Sequence, residues 1–395
     1  MTTQRQASDA DAVRTAPAIG PKSGFRDPRL DFFRGLSLIM IYINHIPKTM
    51  FEHITSRNFG LSDAAEGVVF MSGCAVALAY GPRLAQGLSW QGMARPWKRA
   101  WTLYQVHILT TALAIAIVGL ATWLSHEHEV LKHNSFDMLW EQPWQVGFGL
   151  ITLGHQFGYI NILPMYAALM LAAPFLVRLG QRQPYALLGV SVAVWLLAAY
   201  FRINLPNYPL PGGWFFNPVS WQLVFSLGIL TGLGLRGGTR FVPARHWLLV
   251  LTGGWLLFCL VWVKNDDVMR MMNRSLAYLR DHGAFFLFVN FDKTYVAVPR
   301  LAHFLALAYV LSWPRFVPAV TGSRLMAPVR LFGRYGLWVF ATGTVLSILG
   351  QVIKSVHPAG VAQDAVLIFG GLAIQWGVAR WRDHKRQPRP DFKLA

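Results

Sequence analysis

Charge is what this sequence has least of. Asp, Glu, Lys and Arg together make up 14% of its 395 residues, against about a quarter in soluble domains. With hydrophobic residues at 54%, too little charge remains to coat a water-soluble fold of this size, and soluble globular classes are excluded. Acidic residues are the scarcer half. There are 18 Asp and Glu against 36 Lys and Arg, a formal net charge of +18. Cysteine is nearly absent, and Cys74 and Cys259 both lie inside apolar runs. That excludes a disulfide framework and leaves them as small packing residues. Rossmann and P-loop glycine patterns are missing and the histidines show no zinc-ligand spacing, so no bound cofactor or metal is expected. No basic-aromatic patch accompanies the basic excess, so nucleic acid is not an expected partner.

Apolar segments are what the chain has instead. Runs near 30–50, 64–82, 100–124, 160–179, 185–201, 218–235, 246–263, 299–313, 331–353 and 364–380 approach the roughly 20 residues a spanning helix needs. The expected fold is therefore all-α and polytopic, a bundle of about ten transmembrane helices in contact with membrane lipids. Residues 1–24 are polar, with no apolar run, and predict a disordered cytoplasmic tail. Residues 25–380 form the membrane domain, and 381–395 a basic cytoplasmic tail.

Loop charge orients this arrangement. Arg83, Arg95, Lys98 and Arg99 cluster between the second and third segments, and Arg236, Arg240 and Arg245 between the sixth and seventh. The loops near 126–159 and 202–217 carry only Lys132 and Arg202. The positive-inside rule then puts both termini in the cytoplasm. Residues 136–158 are amphipathic and aromatic and suit the interface. Residues 265–298 read either as a cap over an outer-side site or as an interfacial loop.

The first span, RGLSLIMIYINH, carries Arg34 and His45 eleven residues apart. That is close to three helical turns, so both side chains share a face, separated by about 16 Å of rise. Ionisable groups at such depth are expensive and by default face a functional interior. The alternatives are snorkelling of Arg34 to headgroups and a packing hydrogen bond for His45.

With the residues before it, LDFFRGLSLIMIYINH resembles the opening helix of the acyltransferase 3 superfamily, in which an Arg precedes a His by the same spacing. Together with AAEGVVFMSG, RAWTLYQVHI, NILPMYAALMLAAP, NPVSWQLVFSLG, DKTYVAVPRLAHFLALAY and LFGRYGLWVF, the chain looks like the OpgC branch of that superfamily, over roughly residues 25–380. Asn161 departs from the pattern, standing where the branch carries an acidic residue. The resemblance implies a multi-pass protein of the bacterial inner membrane. It also implies transfer of a succinyl or other acyl group from an acyl-CoA, succinyl-CoA in that branch, to hydroxyls of periplasmic glucans, with the glucan synthesis machinery as a possible partner. An acetyltransferase of another envelope polysaccharide, a transporter of small anions or saccharides, and a structural membrane subunit remain as alternatives.

Sugar acylation needs a base, a polarised carbonyl and a grip on the donor's phosphates. Histidine suits the first, because it titrates near operating pH, and arginine suits the others. His45, as base or acyl carrier, Arg34, and Glu66 at matching depth as orienter of His45 make the candidate catalytic set, with Ser72 as an alternative nucleophile. Arg83, Arg95 and Arg99 are candidate donor-binding residues, against a purely topological or lipid-facing role. Arg300 and His303, at i,i+3, with Trp221, Gln222 and Tyr166 are candidates for acceptor or acyl contacts. His107 reads as a packing residue. The expected geometry is a passage through the bundle, along the first helix, joining Arg34 to His45.

Overall fold

Helix α1 (Pro28–Asn44) opens on Asp27, whose carboxylate accepts from the Arg29 amide at 2.9 Å, with Pro28 in the first turn. It ends just ahead of Ile46, which Pro47 biases away from helical geometry. Helix α2 (Ala64–Leu84) starts with a reciprocal capping box. The Asp63 carboxylate accepts from the Ala65 amide, and Glu66 Oε2 accepts from the Asp63 amide at 3.1 Å. Arg34 Nη2 donates to the Met71 carbonyl, and Gly67 lies against the Ser37 hydroxyl, so α1 and α2 run antiparallel.

The computed structural model describes residues 27–126, 135–313, 316–357 and 359–386. The expected disordered tail, residues 1–24, lies outside these, as do Lys132 and the last residues of the basic tail. Further helices are α3 (Trp90–Ser125), α4 (Pro143–Ile151), α5 (Ile162–Arg182), α6 (Pro184–Tyr200), α7 (Pro218–Arg236), α8 (His246–Lys264), α9 (Asp266–Asp281), α10 (Val298–Leu311), α11 (Ala327–Arg334) and α12 (Gly336–Val356). Then α13 (Val361–Ala365), a π-helical turn (Val366–Gly370) and α14 (Gly371–Arg386) run on together. Among the described residues there is no β-sheet, only an isolated bridge between Pro206 and Gly213.

Among the described residues, 7 helices are long and apolar enough to cross a membrane, rather than about ten. Helices α6 and α10 are apolar but shorter, and α1 carries Asp31 and Arg34 within its length.

Three boundaries differ from the hydropathy expectation. Helix α3 starts at Trp90, because Ser89 caps it by accepting from the Gly92 amide; Arg95, Lys98 and Arg99 are therefore helical rather than in a loop. The apolar run 331–353 is broken at Tyr335 into α11 and α12. The last helix continues to Arg386, so the first part of the basic tail is helical.

The core forms where helix backbones meet. Gly73 of α2 faces the Phe225 carbonyl of α7, and Gly228 of α7 faces the Phe70 carbonyl of α2. A Cβ at either position would overlap backbone, so only glycine permits this crossing. Helices α1 and α11 meet the same way, with Gly35 against Val329 and Gly333 against Asp31. The main apolar cluster joins α2, α3, α5, α6, α7 and α10. Helix α9, by contrast, contributes no buried residue.

Candidate functional site

Arg34, Leu38 and Ile41 follow one another at i, i+4 and i+7 along α1, and all three line a cavity of about 600 Å³. Helix α2 supplies the facing wall from Tyr80 to Val68, about 18 Å of helix rise. The volume is in the usual range for a small-molecule site. One end is basic, with Arg99, Arg334, Arg382 and Lys385 on the wall. The other is apolar, with Ile41, Val68, Ile162 and Leu163. Arg34, Ser72 and Tyr166 lie between, and the Tyr166 hydroxyl is buried next to Ser72. The Ser72 hydroxyl donates back to the Val68 carbonyl at 2.8 Å.

His45 caps the C-terminus of α1, one turn beyond Ile41. It is not on the cavity wall, so the expected open passage from Arg34 to His45 is interrupted after Ile41. The histidine is held by its surroundings. Its ring lies 4.6 Å, centroid to centroid, from that of Tyr159. Its carbonyl accepts from Gln351 Nε2 at 2.6 Å. The turn after it is pinned because Ile46 is wholly buried against Gly350 and Lys354 Nζ donates to the Lys48 carbonyl. Half-buried and without a hydrogen bond to its ring nitrogens among the described residues, the imidazole is available to a ligand.

A four-charge network lies beside it. Lys293 Nζ donates to Asp63 Oδ2 at 2.6 Å, Arg300 Nη2 to the same oxygen at 3.2 Å, and Arg300 Nε and Nη2 to Glu66 Oε1 at 2.9 and 2.6 Å. Two cations meet two carboxylates, which satisfies groups that would otherwise be costly to bury. Asp63 and Lys293 are the charged groups that act on the His45 ring. Burial pushes the Asp63 carboxyl up, but Lys293 and Arg300 together hold it below its ordinary value. Indole donors fix the loop that carries Lys293: Trp221 Nε1 donates to the Lys293 carbonyl at 3.0 Å and Trp195 Nε1 to the Tyr295 carbonyl at 2.8 Å.

The candidates therefore separate into two groups. Arg34, Tyr166, Ser72 and Arg99 meet at the cavity. Arg95 is near enough to the Tyr80 phenol at its rim to act on it, while Arg83 is exposed off the wall. Glu66 is wholly buried against Arg300, with its second oxygen used in the helix cap, so it supports α2 and α10 instead of bonding the His45 ring. His303 Nδ1 is 2.7 Å from the Ser62 hydroxyl and its ring is covered by Gly60. Trp221 is fully buried and offers no face to a sugar, and Gln222 Nε2 is engaged by the Ser191 carbonyl at 2.7 Å. Both are packing residues. His107 is buried as expected.

Asp63, Lys293, Arg334, Arg382 and Lys385 were not singled out by sequence. For Asp63 a signal existed, since D-A-A-E ahead of an apolar run is a capping-box pattern. For Arg382 and Lys385 the signal was present and ambiguous, because a basic end of chain equally marks topology. Among the described residues no three His, Cys, Asp or Glu side chains converge as metal ligands would.

The sequence model of the OpgC protein family matches residues 26–387. No curated protein and no solved structure matches the chain.

Proposed function

The chain belongs to the OpgC protein family, and on that premise we propose that it is a membrane O-acyltransferase of the acyltransferase 3 type. It takes a succinyl group from a cytosolic succinyl-CoA and delivers it to hydroxyls of periplasmic glucans at the bacterial inner membrane. In this reading α1, α6 and α10 also cross the bilayer. The spans then number ten, both termini are cytoplasmic, and the basic end of the cavity opens to the cytosol.

The observation that carries the reading is the polarity of the cavity along α1. A coenzyme A thioester is highly anionic at its nucleotide and uncharged along its pantetheine arm. A cavity that is cationic at one end and apolar at the other, ending one turn from His45, suits such a molecule. Arg34, held by the Met71 carbonyl, stands between the two ends, where it steers the thioester.

The chemistry is a single acyl transfer. The acceptor oxygen attacks the thioester carbonyl, its proton passes to His45, the carbon–sulfur bond breaks, and the thiolate leaves and takes up a proton. The charge-balanced Asp63, Lys293, Arg300 and Glu66 network holds the His45 surroundings without adding net charge. Transfer requires the turn between Ile41 and His45 to open, because the cavity ends there. Glucan synthesis proteins supply the acceptor in this reading.

The test is the charge and mass of periplasmic glucans from cells lacking their own modifying enzyme and expressing wild type or His45→Gln at matched membrane levels. Wild type is expected to yield glucans carrying succinyl groups. The variant is expected to lose about 100-fold or more of that modification. Identical glucans from both strains would overturn the reading, and an acetyl mass would replace the acyl group named here.

A further inference from the structure

Every charged side chain on the cavity wall is a cation: Arg34, Arg99, Arg334, Arg382 and Lys385. Two of them come from the last helix of the chain. Arg382 and Lys385 stand at i,i+3 on α14 and therefore share a face. Each rests on an aromatic ring, the Arg382 guanidinium carbon 4.2 Å from the Trp338 centroid and Lys385 Nζ 4.1 Å from that of Trp381.

The acidic neighbour Asp383 is occupied elsewhere, by Arg334 Nη1 at 3.1 Å and the Tyr335 hydroxyl at 2.9 Å. Among the described residues neither Arg382 nor Lys385 forms an ion pair or hydrogen bond. Cations parked on ring faces keep their N–H groups directed outward while losing side-chain freedom. In a site with low-dielectric walls and one sign of charge, such groups attract polyanions, and a guanidinium fork matches phosphate oxygens.

We propose that α14 supplies a phosphate-binding subsite at the basic end of the cavity, with Arg382 and Lys385 acting alongside Arg99 and Arg334 on a pyrophosphate-bearing nucleotide. The inference rests on the donor reading above and assigns its phosphate grip to the end of the chain rather than to Arg83. The same cations could meet a phospholipid headgroup. Their convergence with residues of α3 and α11 on one cavity wall favours a ligand inside the bundle.

The full chain in phosphatidylcholine nanodiscs, titrated with coenzyme A and with inorganic pyrophosphate, tests it. The Arg382→Gln/Lys385→Gln double variant is expected to weaken both ligands at least tenfold. Arg380→Gln, on the same helix but off the wall, is expected to leave them unchanged. Lys385→Gln alone, at an exposed position that spares the fold, is expected to weaken coenzyme A at least threefold. Coenzyme A binding that is equal in wild type and both Lys385 variants overturns the subsite and leaves the donor reading standing. Pyrophosphate binding that depends on these residues, without coenzyme A binding, keeps the subsite and overturns the donor reading. Binding of neither ligand overturns both. In parallel nanodiscs that also contain phosphatidylglycerol, loss of retention of that lipid in the variants with coenzyme A affinity intact assigns the cations to lipid and overturns the proposal.

Discussion

Arg300 Nη2 stands 2.6 Å from Glu66 Oε1, and the Glu66 side chain has no exposed surface. The pair ties the start of α2 to the start of α10, 234 residues later in the chain. Breaking a buried pair leaves one charge uncompensated, at a cost of about 3–5 kcal/mol, whereas removing both partners is far milder. Arg300→Leu is therefore expected to lower thermal stability in detergent sharply, and Glu66→Leu/Arg300→Leu to recover part of the loss. A double variant as unstable as the sum of the two singles would show that the residues are not coupled.

Gly60 gives a second test. A Cβ there would overlap the His303 ring, and that ring is anchored by Ser62. Gly60→Ala is expected to destabilise by about 1–3 kcal/mol through overpacking. The check is a melting comparison with His303→Ala. In that background the same glycine substitution should cost almost nothing, since the obstructing ring is gone.

The stripe of α1 along the cavity was readable because it is local: helical period alone puts Arg34, Leu38 and Ile41 on one wall, whereas the helix ends at Asn44 and His45, its cap, lies off that wall. The all-helical membrane class was equally open to reading from hydropathy. What eluded the sequence depends on partners far away. Asp63 meets Lys293 across 230 residues, and nothing in the residues around Lys293 announces that its loop is pinned by Trp221 and Trp195. Glu66 looked free to orient His45 because its depth matched, but depth carries no azimuth, and Arg300 occupies the face it presents. Trp221 and Gln222 have the right chemistry for sugar, and burial removes them from contact. The break at Tyr335 was hidden because the run 331–353 is apolar on average and Arg334 is its only charge before Lys354.

Acid should expose the Asp63 network. Its carboxyl is held below the ordinary value by Lys293 and Arg300 despite burial. A depressed folded-state value means the contribution of the Asp63 ion pairs is complete above the ordinary aspartate value, about 3.9, and is lost as pH falls from there through the lower folded value. Wild type is therefore expected to hold its melting temperature down to about pH 4 on this account. Lys293→Met removes the stronger cation and lets the folded-state value rise, so it should lower the melting temperature near neutral pH and flatten its further fall in acid. An unchanged acid profile in the variant would mean that Lys293 does not hold the carboxylate ionised.

Two positions on α2, two residues apart, should respond in opposite ways. Gly73 faces the Phe225 carbonyl, with no room for a methyl group. Ala75 faces the cavity. Gly73→Ala must push α2 and α7 apart and is expected to cost about 1–3 kcal/mol or more of stability. Ala75→Trp places its ring in open space, so its stability should change by less than about 1 kcal/mol, while the ring occupies the volume in which the donor arm would lie. The expected readout is a near-normal melting temperature with coenzyme A binding and glucan acylation both reduced at least tenfold. Acylation at the wild-type rate from a folded Ala75→Trp protein would mean that the donor does not use this cavity, and the route along α1 would have to be abandoned even if His45 proved essential.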